Sequence, residues 1–479
     1  MTEPRPNPLP RDAVSLDLPG DAMRRMTDLV TEAAIAHVES LETRPSWDLN
    51  GVDAVAARFR EPPPANGVAL EELLPLLESG ASKSFTTSGP GYLAFIPGGG
   101  LYPSALADYL ALAYNRYVGV WNPAPAFVQL ELQCIDWIRE LVGYPAGAQG
   151  LLTTGGSLSN FIAVVTARAN RLPENFLDGT LYASVDTHHC VSKAALLAGF
   201  PERNLRLLPV DARRRLRLDA LAAAVREDRT RGLKPFLVVS NAGTANTGAI
   251  DPTDAIADFC ADNDLWLHVD AAYGGFFRLV PGGENLLPGL ERADSIVLDP
   301  HKGLFIPYGT GCLLVRDSQA LRRAHQSGAD YLQDLQLPDG AVSFADVSPE
   351  LSRDFRGLRV WLPFKLFGVD AFRDNLREKL ELARWAHAEL SATPGFECLD
   401  EPQLSVVAFR YRPRRGDVNA FNERLLWRVN DKRRVFITST RIEGAYVLRI
   451  AVLSFRTHGR HVQAAIEDIR QAALELDAE

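Results

Sequence analysis

The amino-acid sequence predicts an α/β fold built around a mainly parallel sheet. Between residues 86 and 360, short apolar runs alternate with helical stretches, as where "PFLVVS" is followed by "DPTDAIADFCADN". This alternation is typical of βα units, which assemble into parallel sheets. The chain has 479 residues. Because single hydrophobic cores stop growing at about 250–300 residues, we expect more than one domain.

Two flanking segments differ from this central part. Residues 1–85 contain helical patterns broken by proline clusters such as "REPPPANG". They predict a helical segment that packs on a partner subunit or on the rest of the chain. Residues 361–479 combine helical patterns with alternating strands such as "YVLRIAVLS", which predicts a smaller α+β domain. We therefore expect three parts, of which residues 86–360 form the large ligand-binding domain.

Charge and cysteine content argue against several classes of function. The chain carries 51 basic and 60 acidic residues, a net charge of −9, whereas nucleic-acid binding requires a basic surface. Its five cysteines are scattered and form no C-x-x-C pair, which disfavours a disulfide framework or zinc site and favours a cytoplasmic location. No stretch is apolar and long enough to predict a signal peptide or a membrane span.

One long segment carries no regular pattern. From Ser327 to Asp354 the sequence is mostly loop-like. Connections of this length inside a compact domain are usually functional lids or disordered. We therefore expect a mobile loop here.

Ligands of parallel α/β sheets bind beyond the carboxyl ends of the strands, so the residues that follow each strand are the candidates for chemistry. After "LLTT" come Gly155, Gly156 and Ser157, and then a helix begins. The glycines allow a close backbone approach, and the N-terminus of a helix attracts phosphate. The alternative is an ordinary strand-to-helix turn with a serine cap.

Three further strands end in reactive side chains. His188 follows "LYASV" and Asp270 ends "LWLHVD". A histidine can stack or donate a proton, and a buried acid requires a partner. Lys302 follows "SIVLD", where it can form a Schiff base if burial lowers its pKa towards that of a free amine. Taken singly, these residues could equally be a polar turn, a helix cap and a solvent-facing lysine.

In combination, the four strand ends predict a pyridoxal phosphate site. That cofactor needs a lysine for its aldehyde, an acid beside its pyridine nitrogen and an anion site for its phosphate. A metal site is the alternative, because His268, Asp270 and His301 could supply two imidazoles and a carboxylate to iron. That arrangement leaves Lys302 and the glycine turn unused, so we expect no metal.

Several motifs resemble the group II pyridoxal-phosphate decarboxylases, the family of aromatic-L-amino-acid decarboxylase. The resemblance runs over nearly the whole chain, and its most specific element is "HVDAAYGG" together with "PHK". The matching segments are "GYLAFIPGGGLYPSALAD", "APAFVQLELQCIDWI", "TTGGSLSNFIAVVTAR", "HVDAAYGG", "ADSIVLDPHKGLF" and "FRGLRVWLPFKLFG".

The resemblance implies a role for each matched residue. Lys302 would hold the cofactor covalently, Asp270 would pair with its pyridinium nitrogen, and His188 would stack on its ring. The other implied contacts are Ala272 on the opposite face of the ring and Gly156, Ser157 and His301 at the phosphate. The implied fold is the aspartate-aminotransferase type (fold type I) with a mainly parallel seven-stranded sheet. The implied active unit is a homodimer with the site at the subunit interface.

The resemblance also implies a reaction, the decarboxylation of an L-amino acid to an amine and carbon dioxide. Phe95, Ile96 and Val120 match positions that line the substrate pocket in the aromatic branch of the family. Their apolar side chains favour an aromatic substrate over glutamate, although ordinary core residues would look the same. The glycines at 98–100 leave space that could admit a larger ring.

Departures from the family pattern open an alternative. Asp299 stands where the family usually has Asn, and Ala245 replaces a Thr. Phe344 aligns with a loop tyrosine thought to donate a proton, and Tyr331, near the start of the loop, is the alternative donor. In this family, Phe at that position is associated with aldehyde synthases, which decarboxylate and then oxidise. An aminotransferase or aldolase on the same fold and a non-catalytic binding protein are the remaining alternatives.

Overall fold

The computed structural model describes residues 16–326 and 341–479 of the chain. The chain divides into two compact units, Met1–Thr86 and Thr87–Glu479. In the described part of the first unit there are three helices, and none of their residues is buried. They are α1 (Gly20–Ser40), α2 (Val52–Ala57) and α3 (Leu70–Ser82).

A sheet of seven strands within the described residues forms the centre of the second unit. In spatial order it runs β1, β7, β6, β5, β4, β2, β3. Strand β7 is antiparallel to both of its neighbours, whereas the pairs from β6 to β3 are parallel. The predicted mainly parallel seven-stranded sheet is therefore confirmed. The strands are β1 (Gln149–Thr153), β2 (Gly179–Ser184), β3 (Leu205–Leu208), β4 (Lys234–Asn241), β5 (Trp266–Asp270), β6 (Ser295–Leu298) and β7 (Gly311–Val315).

Helices follow most strands of this sheet. Strands β2, β5, β6 and β7 are buried along their whole length, as expected for a sheet covered on both faces. The helices are α4 (Tyr102–Tyr114), α5 (Pro125–Leu141), α6 (Gly156–Arg171), α7 (His189–Leu197), α8 (Leu218–Thr230), α9 (Thr253–Asp262), α10 (Gly283–Leu286), α11 (Pro300–Gly303) and α12 (Ser318–His325).

The carboxyl ends of the central strands lie level with one another. Asn241 of β4 pairs with Asp270 of β5, which in turn pairs with Val297 of β6. Side chains that follow these strands therefore meet at one edge of the sheet, where ligands of such sheets bind.

The C-terminal region is an α+β layer with its own hydrophobic cluster, which includes Phe409, Leu425 and Ile466. It is entered through a long helix that kinks at Gly368, whose φ of +70° favours glycine. Its antiparallel sheet has the order β10, β11, β9, β8. The elements are α13 (Gly357–Ser391), β8 (Phe396–Cys398), β9 (Val406–Tyr411), α14 (Val418–Asn430), β10 (Thr438–Ile442), β11 (Ala445–Ala451) and α15 (Gly459–Ala478).

The segment expected to form a mobile loop is described only from residue 341 onwards. Its first part, including Tyr331, lies outside the described residues. From 341 onwards the chain packs on the core, with a 3-10 turn at Phe344–Asp346. The N–H of Ala345 donates to the carbonyl of Gly119 at 2.9 Å. In this second part the apolar side chains of Val342, Phe344 and Val347 are buried, and the mobility of the loop stays a prediction.

Among the described helices, none combines the length and apolarity needed to cross a bilayer.

Candidate active site

Lys302 lies in the short helix α11, immediately after β6. One helical turn brings the Lys302 Nζ atom to 2.8 Å from Asp299 Oδ2. The lysine side chain is 24% exposed and the aspartate side chain 2% exposed. The two groups therefore form an ion pair in which Lys302 is partly exposed to solvent and Asp299 is buried.

The ion pair changes the acidity of Lys302. Burial alone would lower the pKa of Lys302, but Asp299 and, more weakly, Asp270 raise it above its usual value. The expectation that burial brings this lysine towards the free amine is therefore wrong for the cofactor-free chain. The physical reason is the Asp299 carboxylate one helical turn away, which stabilises the charged form of the lysine.

Asp270 ends strand β5 with both carboxylate oxygens engaged. Oδ1 accepts from the N–H of Ala272, and Oδ2 accepts from Asn160 Nδ2, each at 3.2 Å. Asn160 lies in the first turns of α6 and also donates to the carbonyl of Gly156 at 3.0 Å. The acid is therefore held in one orientation by the helix that begins at the glycine turn.

A hydrogen-bond chain runs from Asn160 into the core. His268 Nε2 lies 2.9 Å from Asn160 Oδ1, and His268 Nδ1 lies 2.8 Å from Ser295 Oγ. Because Asn160 Oδ1 can only accept, His268 Nε2–H donates to it, and Nδ1 of the neutral ring accepts from the Ser295 hydroxyl. That hydroxyl in turn accepts from Trp266 Nε1. Burial lowers the pKa of His268 to about 4, so the ring is neutral. We call Trp266, Ser295, His268 and Asn160 the Asp270 relay.

The relay also engages His268, one of the two imidazoles of the iron alternative. Both nitrogens of His268 are occupied within the protein. In the parts of the chain that the structure describes, no group of three or more His, Cys, Asp or Glu side chains is arranged to hold a metal ion.

Helix α6 begins at Gly156, directly after the turn predicted to bind phosphate. Gly155 precedes it with a φ of +146°, and no side chain among the described residues caps the helix. The N–H groups of Leu158 and Ser159 donate to the carbonyl of Gly155, which leaves those of Gly156 and Ser157 at the helix start for an anion. Ser157 is exposed in that turn, so the alternative of a serine cap does not apply.

His301 and Ala272 border the same turn. A Cβ atom on Gly155 would lie 3.3 Å from His301 Cε1, and one on Gly156 would lie 3.3 Å from the Ala272 Cβ. His301 Nδ1 faces the carbonyl of Thr310 at 2.7 Å, and burial lowers its pKa. The glycines thus keep open a cradle that larger residues would close.

His188 caps helix α7, and its Nδ1 accepts from the N–H of Cys190 at 3.3 Å. Partial burial lowers the pKa of His188, although Asp270 and Asp299 oppose this effect. A neutral, exposed imidazole suits stacking on an aromatic ring. Amine, acid, imidazole and uncapped helix start therefore fit a phosphate-bearing pyridoxal, and only the Asp299 carboxylate is at odds with the phosphate.

The predicted substrate residues differ in exposure. Phe95 is 57% exposed with a φ of +50°, Ile96 is half-buried and Val120 is buried. The Phe95 carbonyl accepts from Arg449 Nη2 at 2.7 Å, and the same atom donates to the carbonyl of Ala245 at 2.5 Å. Sequence reasoning missed Arg449, although a cation inside the apolar run "YVLRIAVLS" is a signal of a buried polar contact.

The glycines at 98–100 do not leave open space. A Cβ on Gly98 would lie 2.6 Å from the ring of Tyr308, and one on Gly99 would lie 1.7 Å from the carbonyl oxygen of Phe305. The expectation of room for a larger ring is therefore wrong, because a second aromatic side chain and a backbone segment fill it. No pattern in the sequence pointed to Tyr308, whose hydroxyl accepts from the N–H of Gly98 at 3.2 Å.

Phe344 does not lie at an exposed loop tip. Its side chain is 0% exposed, and its ring packs 4.4 Å beneath the guanidinium of Arg353. Arg353 is held in turn by Glu131 and by the carbonyl of Leu152. The expected loop-borne contact with substrate is thus contradicted for the arrangement seen here, since the ring has no surface that a ligand can reach.

Comparison with known proteins agrees with this geometry. Residues 81–412 match the model of the pyridoxal-dependent decarboxylase conserved domain, so the chain belongs to the pyridoxal-dependent decarboxylase family. It is a pyridoxal-phosphate-dependent amino acid decarboxylase with the expected aspartate-aminotransferase type of fold. The chain is 34% identical to the aromatic-L-amino-acid decarboxylase of Bacillus atrophaeus, over 96% of this chain and 98% of that one.

Solved structures show the same fold. Oryza sativa TDC, solved with PLP and tryptamine, superposes with a TM-score of 0.91 at 26% identity, covering 96% of this chain and 99% of that one. Rhodiola rosea 4-hydroxyphenylacetaldehyde synthase superposes with a TM-score of 0.88 at 23% identity, covering 96% and 99%. The second likeness concerns the fold alone.

Proposed function

We propose that this decarboxylase acts on an aromatic L-amino acid and releases the corresponding amine and carbon dioxide. The observation that carries this proposal is the exposed side chain of Phe95, whose backbone carbonyl accepts a hydrogen bond from Arg449. This exposed apolar ring, next in the chain to half-buried Ile96, offers a surface on which another apolar ring can pack. The aromatic-L-amino-acid decarboxylase of Bacillus atrophaeus supports the same substrate class.

We assign the cofactor contacts to the residues gathered at the strand ends. When bound, pyridoxal phosphate supplies an electron sink for the pair left by the departing carboxylate. Lys302 would hold it covalently, and Asp270 would keep its ring nitrogen protonated. The contacts assigned to the ring faces are His188 and Ala272, and those assigned to the phosphate are Gly156, Ser157 and His301.

The chain's own residues prepare this chemistry. The Asp270 relay fixes the carboxylate so that it meets the ring nitrogen without reorganising. Neutral His188 covers one side of the site and excludes water there. Arg449 holds Phe95 and Ala245 at a set distance, which orients the substrate's side chain.

The alternative is an aldehyde synthase, which decarboxylates and then oxidises with oxygen. It is favoured by Phe344, a side chain without a proton at the position aligned with the family's tyrosine. Its burial against Arg353 favours the simple decarboxylase instead, because Phe344 then acts as core. We expect Phe344→Tyr to leave the product ratio unchanged if the ring stays buried, and to shift it towards amine under the alternative.

The substrate proposal is tested with L-tryptophan, L-tyrosine, L-phenylalanine and L-glutamate. Carbon dioxide, amine and hydrogen peroxide are measured in each reaction. We expect aromatic substrates to give amine and carbon dioxide in equal amounts without peroxide. Faster turnover of glutamate would overturn the aromatic assignment, and peroxide equal to the carbon dioxide would establish the synthase.

We also propose that the active unit is a homodimer. Helix α4 exposes a row of apolar residues, including Tyr109 and Leu112, the latter at 71%. Exposed apolar patches of this kind commonly mark protein interfaces. Light scattering should give about twice 52.6 kDa, and a mass of one chain would contradict the proposal.

A further inference from the structure

Asp299 is the one residue of the cradle that does not suit a phosphate. Its Oδ2 atom lies 2.8 Å from Lys302 Nζ and 3.6 Å from His301 Nε2. A Cβ on Gly156 would lie 3.1 Å from the same oxygen. The carboxylate is therefore pressed against the first residue of α6, where the phosphate is expected.

The other carboxylate oxygen is unsatisfied. Among the described residues, Asp299 Oδ1 is buried without a hydrogen-bond partner. A buried acceptor without a partner costs free energy, about 1–3 kcal/mol and more for a charged group. The chain therefore places the Asp299 carboxylate at the same helix start where the phosphate, also an anion, is expected to bind.

The charged surroundings of Asp299 are few. The titratable groups around Lys302 and Asp299 are Asp270, His188, Cys190, His301 and Cys312. Burial raises the pKa of both thiols and lowers the pKa of both imidazoles, so all four groups are neutral near pH 7. Within the described part of the chain, Lys302 is the cation among these groups.

We propose that Asp299 is an internal anion of the cofactor cradle, which holds Lys302 as an ammonium ion and opposes binding of the cofactor's 5′-phosphate. A dianionic phosphate beside this carboxylate is repelled, whereas the neutral amide of an asparagine would not repel it. The enzyme therefore discriminates less between phosphorylated and unphosphorylated forms of the cofactor than an Asp299→Asn variant does.

The test measures binding without turnover. Pyridoxamine 5′-phosphate and pyridoxamine are titrated into the cofactor-free, full-length protein by calorimetry. Neither has an aldehyde, so no covalent bond to Lys302 forms. The ratio of the two dissociation constants isolates the contribution of the phosphate, because all other contacts are common to both ligands.

We expect Asp299→Asn to raise the preference for the phosphorylated ligand about tenfold or more at pH 8, from like-charge repulsion at a few ångströms. The difference should shrink at pH 5.5, since the phosphate loses its second charge near pH 6. An unchanged or lowered preference in the variant would overturn the proposal. So would an effect that is the same at both pH values.

Two further variants keep the result interpretable. Asp294→Asn removes one charge at the opposite end of β6, where Asp294 accepts from the N–H of Leu267, and should leave the preference unchanged. Asp299→Ser repeats the neutralisation with a smaller side chain if Asp299→Asn does not fold. Since no product is formed, the outcome does not depend on which reaction the enzyme completes.

Discussion

Replacing His268 by phenylalanine tests whether the Asp270 relay supports catalysis. Phenylalanine keeps the ring and its volume but removes both hydrogen bonds of the fully buried imidazole, at 2.8 and 2.9 Å. The Ser295 hydroxyl proton and Asn160 Oδ1 then lose their partners. Each buried group left unpaired costs about 1–3 kcal/mol, so for the two groups we expect a loss of about 2–6 kcal/mol in the free energy of unfolding.

We expect the His268→Phe variant to have a lower kcat because of the effect on Asn160. Without His268 the oxygen of the Asn160 amide loses its donor, and only the hydrogen bonds from Asn160 Nδ2 to Asp270 and to the Gly156 carbonyl still orient the amide. The amide that holds the Asp270 carboxylate is then less firmly fixed. We expect kcat to fall about tenfold, equivalent to about 1.4 kcal/mol of lost transition-state stabilisation. The pH dependence of the visible absorption of the bound cofactor should shift as well, because the proposed role of Asp270 is to keep the ring nitrogen protonated.

His268→Gln is the matched control. Glutamine offers one acceptor and one donor, so it can accept from Ser295 and donate to Asn160. We expect its kcat within about threefold of the wild type, on the scale of the net value of a neutral hydrogen bond. The reasoning is refuted if the phenylalanine variant keeps wild-type kcat and absorption, or if both variants are impaired equally.

Three further expectations follow from single contacts. Arg449→Met should raise KM for aromatic substrates about tenfold with a smaller change in kcat, because the Phe95 carbonyl loses its charged donor; steady-state kinetics with unchanged KM would contradict this. Gly99→Ala should abolish a stable fold, since its Cβ would lie 1.7 Å from a backbone oxygen. Gly98→Ala meets only the half-exposed ring of Tyr308, so its melting temperature should lie within a few degrees of the wild type. Equal melting temperatures of the two variants would disprove the distinction. Burial lowers the pKa of His268 to about 4 from about 6.5 when unfolded. The unfolded chain then binds more protons in this window, so stability falls as pH drops from 6.5 to 4, by up to about 3 kcal/mol. Urea unfolding of wild type and His268→Gln should diverge across this range, and parallel curves would count against a buried neutral imidazole.

Much of the fold and part of the site could be predicted from the sequence. The alternation of apolar runs and helices is a local pattern, so the parallel sheet was predictable. Strand ends in such sheets converge, which brought Lys302, Asp270 and the turn at Gly156 into one hypothesis. The dimer, the cytoplasmic location and the individual residue roles remain predictions.

The remaining features depend on contacts between distant segments. Asn160 lies 110 positions from Asp270 in the chain, and no local pattern links them. Arg449 reaches Phe95 across 354 positions, so its role appears only in three dimensions. Asp299 is the opposite case, because it lies only three positions before Lys302 in the sequence. A helical turn directly after the strand would have predicted their ion pair.

The central claim is that Lys302 carries the cofactor. Borohydride reduction of the protein with pyridoxal phosphate makes a covalent lysine adduct permanent, and peptide mass spectrometry then locates it. We predict the adduct on Lys302 alone in the wild type, and no adduct in Lys302→Ala. An adduct on another lysine, or none in the wild type, would contradict the assignment of the site.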